Sequence, residues 1–223
     1  MTRSQTIRWV FKPTLFLSCL LPLALLVWNF LQDNLSANPL DDITDETGTW
    51  TLRFLMVTLS LTPLRKITGW SALQRFRRMV GLFAFFYGSL HFTTYLYFDK
   101  FFDFGEILAD IPKRPFITVG FAALTTMVPL ALTSNDRITK WMGGRRWKLL
   151  HRLVYVTAIG GVVHYLWLVK ADTQRPLTYG AILAILLGYR LWDYWRPRVA
   201  SRVNPLRSKG RLQPSLNGDE GDL

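Results

Sequence analysis

The chain has 223 residues, half of them hydrophobic, and a formal net charge of +12. Nine Trp and fifteen Phe exceed what a soluble domain of this length needs, whereas membrane interfaces gather aromatic side chains. The single cysteine, Cys19, excludes an internal disulfide and a cysteine-rich zinc or iron–sulfur site. The basic residues cluster between apolar runs, which indicates cytoplasmic loops of a membrane protein rather than a nucleic-acid-binding surface.

Six apolar runs approach the roughly twenty residues that cross a bilayer. In chain order, the predicted spans are 10–31, 50–64, 79–98, 115–133, 149–169 and 177–195. The first resembles a signal peptide in its basic flank, but it is too long and has no convincing cleavage site, so we interpret it as a retained helix. The second is short and contains Arg53, whose side chain can reach the interface.

The loop charges predict the orientation of this six-helix, all-α bundle. The loops placed inside hold 19 Lys and Arg, and those placed outside hold five. The inside loops are 1–12, 65–78, 134–148 and 196–223, and the outside loops are 32–49, 99–114 and 170–176. This asymmetry favours cytoplasmic termini. Residues 1–200 are predicted to form one membrane domain, and 201–223 a disordered cytoplasmic tail.

The only three histidines, His91, His151 and His164, all lie in apolar runs. A histidine in lipid is costly, and imidazole is a usual axial ligand of haem iron. His91 and His164 lie about 18 and 22 Å along the third and fifth spans, which both run outward. These similar depths predict that the two side chains bind one iron from opposite sides.

Glycines near the two outer histidines support this interpretation. Gly88 precedes His91 by three residues, and Gly160 and Gly161 precede His164 by four and three. Residues at these spacings share a helix face, so the missing side chains would leave room for a flat macrocycle. The alternative is that these glycines serve helix packing, which membranes also favour.

The third histidine, His151, lies about 20 Å below His164, near the cytoplasmic face. The matching place on the third span holds no histidine, so an inner haem would need another ligand, for which Met79 is a candidate, or an open position. Alternatively, His151 helps to hold a quinone or a flavin, or it only bonds to loop backbone. Arg78 and Arg152 are candidates for pairing with propionate or phosphate groups, although positive-inside topology also explains them.

Several short runs resemble the ferric-reductase-like transmembrane superfamily and, within it, the MsrQ (YedZ) family. These runs are RRMVG at 77–81, YGSLH at 87–91, LTSN at 132–135 and WKLLHRLVY at 147–155. The likeness covers nearly the whole chain. It implies a multi-pass protein of the bacterial inner membrane that carries one or two b haems, with FMN as a further candidate cofactor. By position, His91, His151 and His164 match the haem histidines of the family, and the fourth histidine of the wider superfamily is missing.

The resemblance also implies a function. In that family, electrons pass from the quinone pool or a cytosolic flavin reductase to a periplasmic, molybdenum-containing methionine-sulfoxide reductase, which repairs oxidised proteins. The chain shows no Gly-rich phosphate loop after a strand, so we expect no direct hydride transfer from NADPH. The prediction is therefore an electron-transfer subunit rather than a catalytic chain by itself.

Two alternatives remain open. The first is a ferric-chelate or quinone reductase that acts alone. The second, from another class, is a proton-coupled transporter whose histidines relay protons. No Asp or Glu lies in the middle of a predicted span to complete such a relay, which disfavours the transporter.

Overall fold

The computed structural model describes residues 3–169 and 171–203, and these are almost entirely helical. The α-helices are α1 (Arg3–Thr6), α2 (Lys12–Leu31), α3 (Pro39–Thr68), α4 (Leu73–Thr94), α5 (Phe104–Lys113), α6 (Pro115–Leu132), α7 (Asp136–Met142), α8 (Gly144–Leu150), α9 (Leu153–Leu168) and α10 (Gln174–Val203). Single π-helical segments, Ile7–Phe11 and Tyr95–Asp99, follow α1 and α4. The all-α prediction is confirmed. The predicted tail begins within α10, and its residues 204–223 lie outside the described residues.

Four of the predicted spans are confirmed as helices long and apolar enough to cross a membrane. They are Ile7–Leu31, Leu73–Asp99, Pro115–Leu132 and Gly144–Leu168. The second and sixth predicted spans lie on α3 and α10, which have 30 residues each. In α3, threonines and Arg53 dilute the apolar residues, although Leu52, Leu55 and Leu59 are buried. Six crossings and cytoplasmic termini therefore stay predictions.

The structure corrects several predicted loops, because helices extend into them. α3 continues to Thr68 and α4 begins at Leu73, so the connection is only 69–72, with Gly69 in the left-handed conformation at φ 70°. The predicted outer loop 99–114 contains α5. The predicted inner loop 134–148 contains α7 and the start of α8.

The sequence analysis placed His151 and His164 on one predicted span, 149–169. In the structure they do not share one regular helix. α8 ends at Leu150 and α9 begins at Leu153, with His151 and Arg152 in the turn between them. The Arg152 N–H donates to the Leu149 carbonyl over 3.1 Å, a tighter turn than in an α-helix. His151 therefore lies at a break in the span rather than inside a helix.

The core consists of two helix pairs. α3 packs on α4, α6 packs on α9, and the pairs meet through α4 with α6 and α3 with α9. α2 lies against α3 and α4. The buried Tyr87 hydroxyl of α4 donates to the Cys19 carbonyl over 3.0 Å and accepts the Leu23 N–H over 3.1 Å. This hydroxyl thus bonds to two backbone groups of α2 on either side of Pro22, a residue that removes a helix donor.

The chain divides into two compact units, Met1–Ala184 and Ile185–Leu223. The first turns of α10 belong to the first unit, where the Tyr179 hydroxyl accepts a hydrogen bond from Arg53 Nε over 3.3 Å. The described part of the second unit is the rest of α10, which is helical through Val203.

Candidate functional site

A cavity of about 530 Å³ lies among α3, α4, α6 and α9. We call it the two-histidine cavity, because His91 of α4 and His164 of α9 both line it. The centroids of the two imidazole rings lie 6.0 Å apart, and the ring planes are inclined by 76°. The structure thus brings together the two histidines for which the sequence predicted similar depths.

Backbone carbonyls orient both rings. His91 Nδ1 lies 3.0 Å from the Thr44 carbonyl, and His164 Nδ1 lies 2.7 Å from the Phe116 carbonyl. Because a carbonyl can only accept a hydrogen bond, each Nδ1 carries the proton and each Nε2 of the neutral ring keeps its lone pair. Metal-binding histidines are held in this way, with the second nitrogen donating to a backbone or carboxylate oxygen.

The residues of this cavity fit a haem better than a bare metal ion. Within the described part of the chain, no group of three or more His, Cys, Asp or Glu side chains could hold a metal ion. Two histidines suffice as axial ligands, since the macrocycle supplies the other donors. The volume also falls within the roughly 300–1,000 Å³ of cofactor pockets.

Two glycines that the sequence analysis missed touch the histidine rings. A Cβ added at Gly120 of α6 would lie 2.6 Å from His164 Nδ1, and one added at Gly48 of α3 would lie 3.0 Å from His91 Cε1. The distance at Gly120 is too short for any side chain, and the distance at Gly48 would force the His91 ring to shift slightly, so both rings lie against glycines. No local signal reveals this, because each glycine is on a different helix from the ring that it contacts.

The glycines that the sequence did single out have different neighbours. Gly88 and Gly161 line the two-histidine cavity, but added Cβ atoms there would meet Thr51 at 3.4 Å and Leu52 at 2.9 Å, both on α3. Gly160 does not line the two-histidine cavity, and an added Cβ would meet Ala123 of α6 at 3.2 Å. The space at Gly160 therefore serves the packing of α9 on α6.

A second cavity, of about 280 Å³, holds His151, and we call it the one-histidine cavity. His151 Nδ1 lies 3.1 Å from the Trp147 carbonyl, and its ring stacks on the Trp147 indole with centroids 3.9 Å apart. Trp147 is held in turn by a 3.1 Å hydrogen bond from Nε1 to the Thr133 carbonyl. His151 Nε2 is buried and has no protein partner. An oriented imidazole with a free, buried nitrogen suits a ligand in this cavity.

The structure contradicts Met79 as the partner of His151. Met79 packs against the cluster formed by Ile7, Ala72 and Phe76, and it does not line the one-histidine cavity. The reason is the direction of the side chain, because Arg77 and Arg78 at the same level of α4 line the cavity, whereas Met79 lies on the face toward Ile7, Ala72 and Phe76.

The arginines of the one-histidine cavity come from α4. Arg77 and Arg78 both line it, and Arg78 pairs with Asp136 of α7 over 2.7 Å between Nη1 and Oδ1. Arg152 is exposed at the start of α9 and lines neither cavity, so the structure does not place it beside His151's free nitrogen.

A single layer of side chains separates the two cavities. Leu55, Met127 and Thr157 line both of them, and each is at most 5% exposed. The Thr157 hydroxyl lies 2.7 Å from the Thr126 hydroxyl, which ties α9 to α6 at this level. The sequence did not reveal this layer, because its members come from three separate helices.

The lining of the two-histidine cavity includes several carboxylates and one arginine. Asp41 and Asp45 of α3, Asp99 and Arg114 all line it. Burial, reinforced by the charge of Asp41, raises the pKa of Asp45. Arg114 pairs with Asp99 over 2.9 Å and with Asp110, so its charge is already compensated. The two cavities thus differ in the charge of their linings.

Comparisons with known proteins agree with this arrangement. The family described as "Ferric reductase like transmembrane component" matches residues 47–162, which include His91 and His151 and end two residues before His164. The chain is 52% identical over 189 residues to a protein of Herminiimonas arsenicoxydans, covering 84% of this chain and 87% of the relative. A relative in Polaromonas naphthalenivorans is 49% identical, with 86% and 90% covered, and one in Rhodospirillum rubrum is 49% identical, with 84% and 90% covered.

All three relatives are named as the heme-binding subunit MsrQ of a protein-methionine-sulfoxide reductase. No solved structure matches the chain. The family match covers about half of the chain, and the three relatives align over most of both chains. The chain therefore belongs to the family of ferric reductase like transmembrane components and, within it, to the MsrQ subunits.

Proposed function

We propose that this protein is a membrane-embedded b-type cytochrome that carries electrons to a methionine-sulfoxide reductase. The observation that carries the proposal is the pair of rings in the two-histidine cavity, 6.0 Å apart and each with Nδ1 directed at a carbonyl. The names of its relatives, which are heme-binding subunits of such a reductase system, support it. The chain is then an electron-transfer subunit of an oxidoreductase rather than an enzyme alone.

The residues of the two-histidine cavity would each have a defined part. His91 and His164 would bind the iron through Nε2, while the Thr44 and Phe116 carbonyls hold the rings in orientation. Held by these two histidines, a haem would supply one-electron transfer. Gly48 and Gly120 keep the rings from being displaced by neighbouring helices.

The one-histidine cavity would receive the electrons on the cytoplasmic side of the inner membrane. Its free His151 nitrogen and its arginines suit an anionic redox group, such as a second haem, FMN or a quinone head group. The layer formed by Leu55, Met127 and Thr157 separates this group from the two-histidine cavity. We infer that electrons cross this layer toward a periplasmic, molybdenum-containing partner, with the quinone pool or a cytosolic flavin reductase as donor.

The test is haem quantification by pyridine haemochrome on detergent-purified protein from haem-replete cells, with a redox-titrated absorbance spectrum. One b haem per chain would assign it to the two-histidine cavity and leave the one-histidine cavity to a quinone or flavin. Two haems would place the second beside His151 with a ligand other than Met79. A colourless preparation would contradict the proposal.

The direction and the partner need a second measurement. The reduced protein in nanodiscs is mixed with the oxidised methionine-sulfoxide reductase of the same system, and the reoxidation of the haem is followed at its Soret band. We expect rapid reoxidation with that reductase and none with a molybdenum enzyme of unrelated substrate. Equal rates with both enzymes would contradict a dedicated partner.

A further inference from the structure

We propose that α5 and the turn before it lie flat in the lipid headgroup region, with one face of the helix in contact with acyl chains. The candidate span that contains α4 ends at Asp99, and the span formed by α6 begins at Pro115. The segment between them is therefore tethered to the bilayer surface at both ends. This inference does not depend on any bound cofactor.

The residues of α5 divide into three faces. Ile107 is 5% exposed and packs against the protein, whereas Phe104 and Leu108, four residues apart, are 69% and 71% exposed. Glu106 and Lys113 are exposed on a third face, seven residues or about two turns apart. Protein, lipid and water each match one face, which is the pattern of an interfacial helix.

Most charged side chains of α5 and its flanking residues form ion pairs with one another. Lys100, only 7% exposed, pairs with Glu106 over 2.6 Å and with Asp110 over 3.5 Å. Asp110 also pairs with Arg114 and accepts a 2.9 Å hydrogen bond from the Tyr95 hydroxyl. A helix at a water surface turns its charges outward and its apolar side chains inward. Here the apolar side chains face outward, which fits an apolar surrounding.

The turn before α5 holds two further exposed aromatic side chains. Phe101 and Phe102 have φ angles of 45° and 60°, a conformation that suits glycine and is rare for a bulky residue. The Phe102 N–H closes this turn by donating to the Leu96 carbonyl over 2.9 Å. Despite the strain, the two positions hold phenylalanines that are 82% and 47% exposed. Contact with lipid gives these exposed rings a role.

Lipid fits this surface better than a protein partner does, because the tethers at both ends keep α5 at interface depth. The water-facing side carries one acid and one base, Glu106 and Lys113, and so has little preference for charged headgroups. We therefore expect the depth of α5 to be the same in phosphatidylcholine and in bilayers that contain phosphatidylglycerol.

The chain suits site-directed spin labelling, because Cys19 is its only cysteine and is buried. In a Cys19→Ala background, nitroxides are attached through Leu108→Cys and, as the matched control on the same helix, Lys113→Cys. Collision with oxygen, which concentrates in lipid, is compared with collision with a water-soluble nickel chelate, with the full chain in phosphatidylcholine nanodiscs. We expect the oxygen-to-nickel ratio to be several-fold higher at 108 than at 113.

Equal ratios at the two positions would overturn the proposal. So would a label at 108 that is open to nickel and becomes protected only when the partner reductase is added, because the surface would then be a protein-docking site. An oxygen-to-nickel ratio at position 108 that rises with phosphatidylglycerol content would contradict the expectation that charged headgroups do not affect the depth of α5.

A second variant tests whether the exposed Phe101 ring helps to hold α5 at the interface. Phe101→Gly relieves the left-handed strain and removes one exposed ring. With this change, we expect the oxygen-to-nickel ratio of the label at position 108 to fall several-fold. The thermal unfolding midpoint should stay equal or rise. An unchanged ratio would show that the ring takes no part in holding the helix at the interface.

Discussion

In both cavities, a backbone carbonyl holds Nδ1 of each histidine, but the carbonyls come from different parts of the chain. In the two-histidine cavity, the carbonyls that hold His91 and His164 lie 47 and 48 residues away in sequence, on other helices. In the one-histidine cavity, the carbonyl that holds His151 belongs to Trp147, only four residues away. The first arrangement therefore depends on the packing of the bundle, and the second is set within a single helical turn.

The cavities also differ in what touches each ring. Gly48 and Gly120 leave space beside His91 and His164, whereas the Trp147 indole covers one face of His151. Two histidines line the larger cavity, whereas one histidine lines the smaller cavity together with Arg77 and Arg78. One site is thus suited to a group bound from both sides, and the other to a group bound from one side. The predictions that follow test this difference.

The largest expected effect is at the two-histidine cavity. His91→Ala and His164→Ala should each abolish its haem, because one remaining imidazole leaves an axial position empty. The low-spin signal of bis-histidine iron in electron paramagnetic resonance should disappear in both variants. Retention of that signal in either variant would show that these histidines are not the ligands.

At the one-histidine cavity, His151→Ala should give the complementary result. The ring is held locally, so its removal should leave the packing around His91 and His164 intact. We expect a normal low-spin haem signal, together with slow or absent reduction by quinol or by a reduced flavin reductase. If the variant is reduced at the normal rate, the one-histidine cavity is not the entry point for electrons.

A smaller effect is expected from filling the space beside a ring. Gly120→Ala places a Cβ 2.6 Å from His164 Nδ1, so the ring must shift away from the Phe116 carbonyl. The loss of such an orienting contact weakens metal binding by about 10–100-fold. Haem retention in competition with apomyoglobin measures the change. The control is Gly180→Ala, whose added Cβ would meet only Val162 at an ordinary 3.6 Å; Gly180 lines neither cavity, so haem retention should be unchanged.

Composition and helix rise were sufficient to predict part of this architecture. Uninterrupted apolar runs identified four spans, because the hydrocarbon core requires about twenty apolar residues whatever the neighbours are. The meeting of His91 and His164 followed from equal depth, since the rise per residue of a helix is constant. These features depend only on distance along one helix.

Features that depend on how helices meet were not accessible. Met79 lies at the predicted depth below His91, but it is on the face of α4 toward Ile7 and Phe76 rather than the face toward the one-histidine cavity. Gly48 and Gly120 lie far in sequence from the rings that they contact. Hydropathy could not decide whether α3 crosses the membrane, because threonines, acidic residues and Arg53 dilute its apolar residues.

A moderate loss of stability is expected at the contact between α2 and α4. Tyr87→Phe removes the hydroxyl that bonds to the Cys19 carbonyl and the Leu23 N–H. Leaving buried polar groups without partners costs about 1–3 kcal/mol. The thermal unfolding midpoint should therefore fall, whereas the exposed Tyr97→Phe should leave it unchanged. Because the two-histidine cavity depends on bundle packing, Tyr87→Phe should also weaken haem retention there more than ligand binding beside His151.

The smallest expected effect is a pH dependence confined to α5. The hydrogen bond from Arg114 lowers the pKa of Asp110 from its ordinary 3.8 to about 2. A carboxyl group with a lowered pKa stabilises the folded state above its unfolded pKa, and this contribution is lost as the pH falls through the folded value. The mobility of a spin label at position 108 should therefore increase between about pH 4 and pH 2.

In Asp110→Asn, the label should already be more mobile at neutral pH and should change little across that range. Asp136→Asn removes a carboxylate from α7 and should keep the wild-type profile. The same acid titration in all three proteins would show that the Asp110 pair does not hold α5 in place.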